Sequence, residues 1–170
     1  MLNHLSWTEY YLTMAIIASL RSKDKSTKHG CIITDKSHRL LATGYNSFPR
    51  SMPDEIMPQE RPEKYHHFIH SEPNALINLT HPIDRKEGAI VYVTGPPCYG
   101  CLSLLWNAGV DEVHYIQRRG WTKDEEDQPR KELLIKETNL TVTSHPYDFL
   151  KIEEQVHEYY SKSKIQGTQI

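Results

Sequence analysis

The hydrophobic and polar positions of this chain fall into short segments with either a helical or a strand-like period. Residues 7–21 place apolar side chains at helical spacing, and Ser6 precedes them as a candidate N-cap. Two short apolar runs, 31–34 and 40–43, flank a polar segment and predict a β-hairpin. The remaining pattern predicts helices at 71–79, 101–108 and 131–136, strands at 89–94, 112–116 and 140–143, and a C-terminal helix from residue 151 that frays after Ser161.

This order of elements predicts one α/β domain. A helix and a hairpin followed by alternating helices and strands indicate a layer sandwich around a single mixed sheet. No repeat or linker divides the 170 residues, so we expect one domain with its core at about 5–150 and a helical tail at 151–170. Two connections stand out: a charged loop at 120–130, and residues 44–64, which hold four prolines and no apolar period. Connections as long as the second are often functional.

The charge balance favours a small substrate over a nucleic-acid polymer. The chain has 20 Lys and Arg against 22 Asp and Glu, a net charge of −2 with neutral histidines. Proteins that grip a phosphate backbone usually carry a basic excess or a basic stripe. We therefore expect no nucleic-acid polymer as a partner, although a local pocket for one phosphate is compatible with this total.

Cysteine usage and the absence of an apolar leader predict a soluble, cytoplasmic protein. Residues 1–9 are polar without a cationic start, and the apolar stretch 11–20 is too short to span a bilayer, so we expect no membrane partner. Two of the three cysteines form a Cys-x-x-Cys pair. In a reducing compartment such a pair is typical of metal binding or redox chemistry rather than of a structural disulfide.

Two motifs supply candidate zinc chemistry. His70-Ser71-Glu72 and Pro97-Cys98-Tyr99-Gly100-Cys101 each stand at the start of a predicted helix, where free N–H groups and the helix dipole favour thiolates. His70, Cys98 and Cys101 are three candidate ligands, which leaves the fourth position of a tetrahedral zinc for water, as in catalytic sites. Glu72 is the candidate proton shuttle. His-x-Glu followed by Pro-Cys-x-x-Cys is also the signature of zinc-dependent nucleobase deaminases.

Simpler interpretations of the same residues stay open at this point. Cys98 and Cys101 are also compatible with a redox pair, or with half of a structural zinc knuckle completed by Cys31 and another histidine. Glu72 alone would be an ordinary solvated charge in the first turn of a helix. Because Cys31 lies in an apolar predicted strand, we expect it to be a small buried core residue instead of a ligand.

Six segments between about Trp7 and Ile116 resemble a known family. They are Lys23-Asp24-Lys25-Ser26-Thr27-Lys28-His29-Gly30-Cys31-Ile32, Thr43-Gly44-Tyr45-Asn46, Lys64-Tyr65, His70-Ser71-Glu72-Pro73-Asn74-Ala75, Tyr92-Val93-Thr94 and Pro97-Cys98-Tyr99-Gly100-Cys101. Together they resemble the deoxycytidylate (dCMP) deaminases of the cytidine deaminase superfamily. The zinc motifs mark the superfamily, and the segments Lys23–Thr27 and Gly44–Asn46 narrow the resemblance to the dCMP branch.

The resemblance implies a fold, a reaction and roles for matching positions. It implies a three-layer α/β/α sandwich with a five-stranded mixed sheet, hydrolysis of dCMP to dUMP and ammonia for thymidylate synthesis, and a homohexamer. One Zn²⁺ per subunit would be held by His70, Cys98 and Cys101, with Glu72 as the shuttle. Asn46 would contact the sugar and base of the substrate. Lys23, Ser26 and Thr27 would lie near its 5′-phosphate, for which they offer a cation and hydroxyls, although a solvated turn is the plainer interpretation of Lys23.

The resemblance also implies regulation, in a loop where this chain departs from the family. Members are commonly activated by dCTP and inhibited by dTTP, with Mg²⁺ accompanying the triphosphate, at a site that here would involve Tyr45, Asn46, Arg50 and Tyr65. The family's loop glycines and cysteine are replaced by Ser47-Phe48-Pro49-Arg50-Ser51-Met52-Pro53-Asp54, which removes backbone freedom. Arg50 keeps one cation for a triphosphate, so the sequence leaves regulation open.

Two competing functions remain on sequence grounds. One is a deaminase for another nucleoside, a free base or transfer RNA, and a polymer editor would need a basic groove with aromatic platforms. The other is a catalytically silent nucleotide-binding zinc protein, against which the intact Glu72 argues, since a structural zinc site does not require it. Aromatic residues at Tyr10, Tyr11, Tyr159 and Tyr160 are compatible with either an oligomer interface or the core.

Overall fold

A five-stranded sheet organises the structure, a computed structural model that describes residues 4–117 and 127–162. Within those residues the elements are α1 (Trp7–Ser19), β1 (Gly30–Thr34), β2 (Leu40–Tyr45), α2 (Ser71–Ile77), β3 (Ile90–Val93), α3 (Tyr99–Asn107), β4 (Glu112–Ile116), α4 (Gln128–Glu137), β5 (Thr141–His145) and α5 (Phe149–Lys162). Two short 3₁₀ turns, Asp54–Ile56 and Glu63–His66, lie between β2 and α2.

The sheet is mixed, as predicted. Its strand order is β2-β1-β3-β4-β5. β1 is antiparallel to both β2 and β3, whereas β3, β4 and β5 run parallel. Every residue of β1 and β3 is buried. Strands buried on both faces are expected at the centre of a sheet that helices cover from both sides.

Helices cover both faces of the sheet, which confirms the three-layer arrangement. On one face Tyr11, Leu12 and Ala15 of α1 pack in a cluster with alternate residues of the central strands, Ile32, Ile90 and Tyr92. On the other face α2 and α3 contribute Ala75, Leu102 and Leu105 to a cluster with Cys31, Ile33, Val91 and Val93. Successive strand residues point to opposite faces, so each central strand supplies both layers.

Two glycines let the helices approach the sheet at backbone distance. A Cβ at Gly30 would lie 1.9 Å from the carbonyl oxygen of Ala15 in α1. A Cβ at Gly44 would lie 2.4 Å from both the Ala75 nitrogen and the Ser71 oxygen in α2. Such contacts are far inside van der Waals distance, so these positions exclude a side chain. Gly44 thereby determines how closely the first turn of α2 approaches β2.

The helix starts follow from local capping chemistry. The Ser6 hydroxyl accepts the Glu9 N–H at 3.2 Å, and the Glu9 carboxylate accepts the Ser6 N–H at 2.9 Å, a capping box that confirms Ser6 as the N-cap of α1. α3 begins at Tyr99, two residues before its predicted start, because the Cys98 sulfur caps it by accepting the Cys101 N–H. α4 begins at Gln128 with Pro129 in its first turn, so it takes in the end of the predicted 120–130 loop.

Other sequence predictions meet the structure as follows. Cys31 is fully buried in β1, as expected. Tyr11 belongs to the core, whereas Tyr10, Tyr159 and Tyr160 are exposed. The predicted 44–64 connection begins two residues later, because β2 continues to Tyr45, and it contains the two 3₁₀ turns before α2 starts at Ser71. The remainder of the 120–130 loop and the tail after residue 162 lie outside the described residues. No described helix combines the length and apolar character needed to cross a membrane.

Candidate metal centre and active site

The N-terminal ends of α2 and α3 meet on one face of the sheet and bring three potential metal ligands together. His70 is the N-cap of α2, Cys98 is the N-cap of α3, and Cys101 lies in the first turn of α3. His70 Nδ1 lies 3.7 Å from Cys98 Sγ and 3.4 Å from Cys101 Sγ. The three ligand atoms all lie within 4.8 Å of one another. Cys31 is outside this group, which removes the knuckle that would have used it.

This donor set fits zinc. Ordinary Zn–N and Zn–S bond lengths at a tetrahedral angle place nitrogen and sulfur about 3.6 Å apart. The two observed separations lie on either side of that value. One imidazole and two thiolates are also the ligand types that zinc prefers in proteins. Three protein ligands are the number found in catalytic zinc sites, where the fourth position is left for water or substrate.

The protonation of the cysteine pair prepares it for a cation. Hydrogen bonds from the Cys101 thiol and from His70 outweigh burial and lower the pKa of Cys98 to about 4. The pKa of Cys101 is raised instead, because it shares its proton with Cys98 and is itself buried. The pair therefore holds one thiolate, at the helix N-terminus that stabilises it. Binding a metal through both sulfurs would release the remaining proton.

Glu72 is positioned to carry protons beside these ligands. It lies in the first turn of α2 and is 5% exposed. The Ser71 hydroxyl donates to its carboxylate at 2.9 Å. Burial raises the pKa of Glu72 despite this hydrogen bond, which brings its protonated and ionised forms closer in energy at neutral pH. Such a carboxyl group can accept and return a proton within one reaction cycle.

A cavity of about 200 Å³ connects the metal centre to the solvent side of the molecule. Its lining includes His70, Glu72 and Cys98 of the metal centre. It also includes exposed residues of the segment before α2, among them Arg61 and Tyr65. The buried carboxyl group and the exposed cation thus border one space, whose size suits a small molecule.

The predicted substrate residues divide into two groups in the structure. Thr27 and Asn46 line the cavity, whereas Lys23 and Ser26 are not among the described residues that line it. Asn46 is buried and braces the cavity wall. Its side-chain oxygen accepts the His29 N–H at 2.7 Å, and its amide donates to the Thr27 carbonyl at 2.9 Å. Asn46 therefore determines the path of the 27–29 backbone as well as facing the cavity.

The predicted regulatory residues are also divided. Tyr65 lines the cavity, and the Tyr45 carbonyl accepts a hydrogen bond from Asn74 of α2 at 2.7 Å. Arg50 is exposed and donates to the side chain of Asn78 at the end of α2. It is not among the described residues that line the cavity. Arg50 is therefore available to a ligand on the outer side of the loop rather than to one bound beside Glu72.

A buried ion pair in the wall of the cavity is absent from the sequence predictions. The Lys64 ammonium contacts both carboxylate oxygens of Asp24 at 2.9 Å, and the two side chains are 2% and 5% exposed. Asp24 also accepts the N–H groups of Ser26 at 2.8 Å and Thr27 at 3.1 Å. Burial opposes ionisation, but the Lys64 and backbone hydrogen bonds hold the pKa of Asp24 below its ordinary value. An Asp in a Lys-Asp-x-Ser-Thr segment is typical of a turn in which the carboxylate accepts N–H groups two or three residues later. The segment gives no indication that Lys64 is its ion-pair partner.

Comparison with known proteins places these features in a family context. The family described as "cytidine and deoxycytidylate deaminase zinc-binding region" matches residues 5–117. The chain is 30% identical over 156 residues to mouse deoxycytidylate deaminase, which covers 88% of this chain and 85% of the mouse protein. It is 36% identical over 113 residues to a Caenorhabditis elegans protein named probable deoxycytidylate deaminase, covering 64% of this chain and 56% of that protein.

A solved structure shares the fold. The crystal structure of dCMP deaminase from the cyanophage S-TIM5, in complex with dCMP and dUMP, superposes with a TM-score of 0.62. The match covers 84% of this chain and all of the cyanophage chain, at 24% sequence identity. This likeness supports the α/β arrangement described above.

Loss of one partner of the buried ion pair is expected to destabilise the protein more than loss of a surface pair. Lys64→Met leaves an uncompensated carboxylate in the interior, so we expect the free energy of unfolding to fall by about 3–5 kcal/mol in chemical denaturation. Lys36→Met is the matched control. Lys36 forms partly exposed ion pairs with Asp111 at 2.9 Å and Glu112 at 3.1 Å, and their loss should lower the free energy of unfolding by less than about 1 kcal/mol.

A double variant separates charge pairing from packing. Asp24→Asn combined with Lys64→Met removes both charges and keeps an oxygen acceptor for the Ser26 and Thr27 N–H groups. It should recover most of the stability lost in the single Lys64 variant. Equal losses in the single and double variants would contradict an important role for the ion pair itself.

Proposed function

Because the chain belongs to the cytidine and deoxycytidylate deaminase family, we propose that it is a zinc-dependent hydrolase that converts dCMP and water to dUMP and ammonia. The observation that carries the proposal is the placement of a buried Glu72 carboxyl group beside His70, Cys98 and Cys101, at the wall of one cavity. The names of the mouse and worm relatives support dCMP as the substrate.

The residues of the site divide the chemistry between them. His70, Cys98 and Cys101 would hold zinc, which would supply the Lewis acidity that makes a water molecule a competent nucleophile at neutral pH. Glu72 accepts the proton that the water loses as it attacks the amino-bearing carbon of the cytosine ring. The carboxyl group delivers that proton to the adjacent ring nitrogen. It then takes the second proton from the hydroxyl group now on the ring carbon and passes it to the exocyclic amine, so that the carbonyl forms as the carbon–nitrogen bond breaks and ammonia leaves. Its raised pKa suits both directions of transfer.

The cavity walls would orient the substrate. Asn46 is proposed to contact the sugar and base, and Thr27, together with Lys23 and Ser26 of the same turn, to support the phosphate end. Thr27 and Asn46 line the cavity. The buried Asp24–Lys64 pair, which lines the same cavity, holds the turn in place without competing for the substrate, because each of its charges is already balanced by the other.

Regulation and assembly complete the proposal. We propose that dCTP activates and dTTP inhibits, each bound with Mg²⁺ around Tyr45, Asn46, Arg50 and Tyr65, with the exposed Arg50 as the cation for the triphosphate. We also propose that the protein assembles, as the homohexamer that the resemblance implies. An interface is supported by the large apolar side chains exposed on α1, at its C-cap and on α5, namely Trp7, Tyr10, Ile17, Leu20, Phe149, Val156, Tyr159 and Tyr160.

The proposed place in metabolism follows from the product. dUMP is the acceptor that a methylating thymidylate synthase reaction consumes, so the protein would supply thymidylate synthesis. The three cysteines are free thiols, which suits a reducing compartment, and we propose that the protein acts in the cytoplasm as one deaminase domain.

Product analysis tests the reaction directly. Purified protein of known zinc content is incubated with dCMP, CMP, deoxycytidine and cytosine, and products are separated by chromatography. We expect dUMP and an equal amount of ammonia from dCMP, with much slower reaction of the other three. A fully zinc-loaded protein that deaminates none of these pyrimidines would overturn the assignment.

Replacement of the shuttle should separate metal binding from turnover. Glu72→Gln keeps the shape of the side chain and leaves all three ligands, so zinc content measured by atomic spectroscopy should match the wild type. Turnover should fall by about 10²–10⁴-fold or more, because the proton path is lost. His70→Ala is the matched control and should lose both zinc and turnover. A Glu72→Gln variant with unchanged dCMP turnover would show that Glu72 is not the shuttle.

The effector proposal makes a separate prediction at Arg50. With Mg²⁺ present, dCTP should raise and dTTP should lower the rate at subsaturating dCMP in the wild type. Arg50→Ala should weaken the apparent affinity for both effectors by about 10-fold or more, the value of one charged hydrogen bond, and leave the rate without effector unchanged. Identical effector curves for the two proteins would exclude Arg50 from the regulatory site.

A further inference from the structure

We propose that the Arg61 guanidinium binds the 5′-phosphate of the substrate and thereby determines the preference for a nucleotide over a nucleoside. The inference rests on the proposed function, since it takes the cavity beside Glu72 as the substrate site. Neither the resemblance nor the predicted substrate residues include Arg61. The cations that line the cavity differ in whether their charge is already paired with a carboxylate.

A 5′-phosphate is a dianion near neutral pH, so a site that prefers nucleotides needs an available positive charge. Arg61 and Lys64 are the described Lys and Arg residues that line the cavity. The other lining cations would be histidines, of which His70 belongs to the metal centre. The question is therefore which of the two permanently charged side chains is available.

Lys64 is already fully engaged. Its ammonium has three N–H donors, and it contacts both oxygens of Asp24 and the Ser26 hydroxyl. Its side chain is 2% exposed, and its charge is balanced by that of Asp24 at 2.9 Å. Binding a phosphate would require breaking this pair and leaving Asp24 buried without its partner, which is strongly unfavourable. Lys64 therefore positions the 24–27 turn and does not bind the ligand.

Arg61 is in the opposite situation. It is exposed at the cavity, and within residues 4–117 and 127–162 it forms no ion pair. Its Cζ atom lies 5.7 Å from the centroid of the Tyr65 ring, which also lines the cavity. Cation–π contact with a ring orients a guanidinium without neutralising its charge or occupying its in-plane N–H donors. As far as residues 4–117 and 127–162 are concerned, the planar fork of Arg61 can therefore form two hydrogen bonds to a phosphate.

The lysines of the neighbouring turn are less well placed. Lys23 and Lys25 are exposed and are not among the described residues that line the cavity. The Lys28 ammonium donates to the Ser22 carbonyl at 2.8 Å. These residues add to the positive field around the turn, whereas Arg61 borders the cavity itself. Thr27, which lines the same cavity, offers a hydroxyl that can complete the phosphate contact.

The test compares substrates that differ only in the phosphate. In Arg61→Gln, kcat/KM for dCMP should fall by about 10- to 100-fold, mainly through KM, since a charged hydrogen-bond donor is removed. The value for deoxycytidine, which has no phosphate, should stay within about two-fold, because the scaffold is unchanged at an exposed position. Arg61→Lys should restore part of the dCMP activity through its point charge.

Arg39→Gln is the matched control, because Arg39 is an exposed arginine paired with Asp35 at the far end of the β1–β2 hairpin. It should leave both substrates unaffected. Equal losses for dCMP and deoxycytidine in Arg61→Gln, or no loss for either, would overturn the proposal.

A binding experiment keeps this inference separate from the proposed reaction. Isothermal titration of zinc-loaded protein with dUMP and with deoxyuridine measures the contribution of the phosphate without turnover. Arg61→Gln should weaken dUMP binding by about 10-fold or more and leave deoxyuridine binding unchanged. The wild type could fail to release ammonia from dCMP while Arg61→Gln still weakened the binding of dUMP and not of deoxyuridine. In that case the proposed reaction would be wrong and the role of Arg61 would be supported. Unchanged dUMP affinity in Arg61→Gln would contradict the role of Arg61.

Discussion

The convergence of two helix N-termini is the constraint on which this structure depends. Three ligand atoms lie within 4.8 Å of one another although they come from two helices separated by β3. Such closeness requires α2 and α3 to lie side by side on the same face of the sheet, with their first turns at the same edge. β2 and β3 provide this geometry, because both are antiparallel to the β1 strand between them and therefore run in the same direction, so the helices that follow them start at one edge of the sheet. The close contact of Gly44 with α2 positions the N-terminus that carries His70. The capping of α3 by Cys98 positions the N-terminus that carries the two cysteines.

The two buried carboxyl groups of the site, those of Glu72 and Asp24, differ in their pKa and in their role. Glu72 is buried without an ion-pair partner among the described residues, and its pKa is raised, which suits the proton exchange proposed for it. Asp24 is equally buried, but Lys64 and two backbone N–H groups lower its pKa, so it stays ionised and holds the turn. Two carboxylates near one cavity thus have opposite behaviour because of their different surroundings. A buried charge that is fully hydrogen-bonded is structural, and one left with a raised pKa is available to chemistry.

The sequence predicted the parts of the molecule that depend on local signals. All five strands, and helices at each predicted place, follow from apolar period and capping residues, and the metal ligands belong to two motifs of three and five consecutive residues. The Lys64–Asp24 pair could not be predicted in this way, because its members are 40 positions apart and each resembles an ordinary surface charge. α3 starts two residues and α4 three residues before its predicted start. The Cys98 sulfur caps α3 and Pro129 lies in the first turn of α4, and a periodicity pattern reports such contributions weakly. The path of the 44–64 connection depends on tertiary contacts, such as the pairing of Ser47 with Ile69, that periodicity does not report.

The distribution of cations also explains why Lys23 was a reasonable candidate from the sequence and Arg61 was not. In the sequence a cation is recognised by its neighbours, and the Lys-Asp-x-Ser-Thr segment has hydroxyls beside its lysines, whereas Arg61 stands in a proline-rich connection with no apolar period. In the structure the decisive property is whether a charge facing the cavity is already neutralised. Lys64 is neutralised by Asp24, whereas Arg61 lies against the Tyr65 ring and forms no ion pair within the part of the chain that the structure describes. Recognition of the phosphate end would then rest on a residue outside the metal motifs, so substrate preference could change at position 61 without altering the ligands or the proton shuttle.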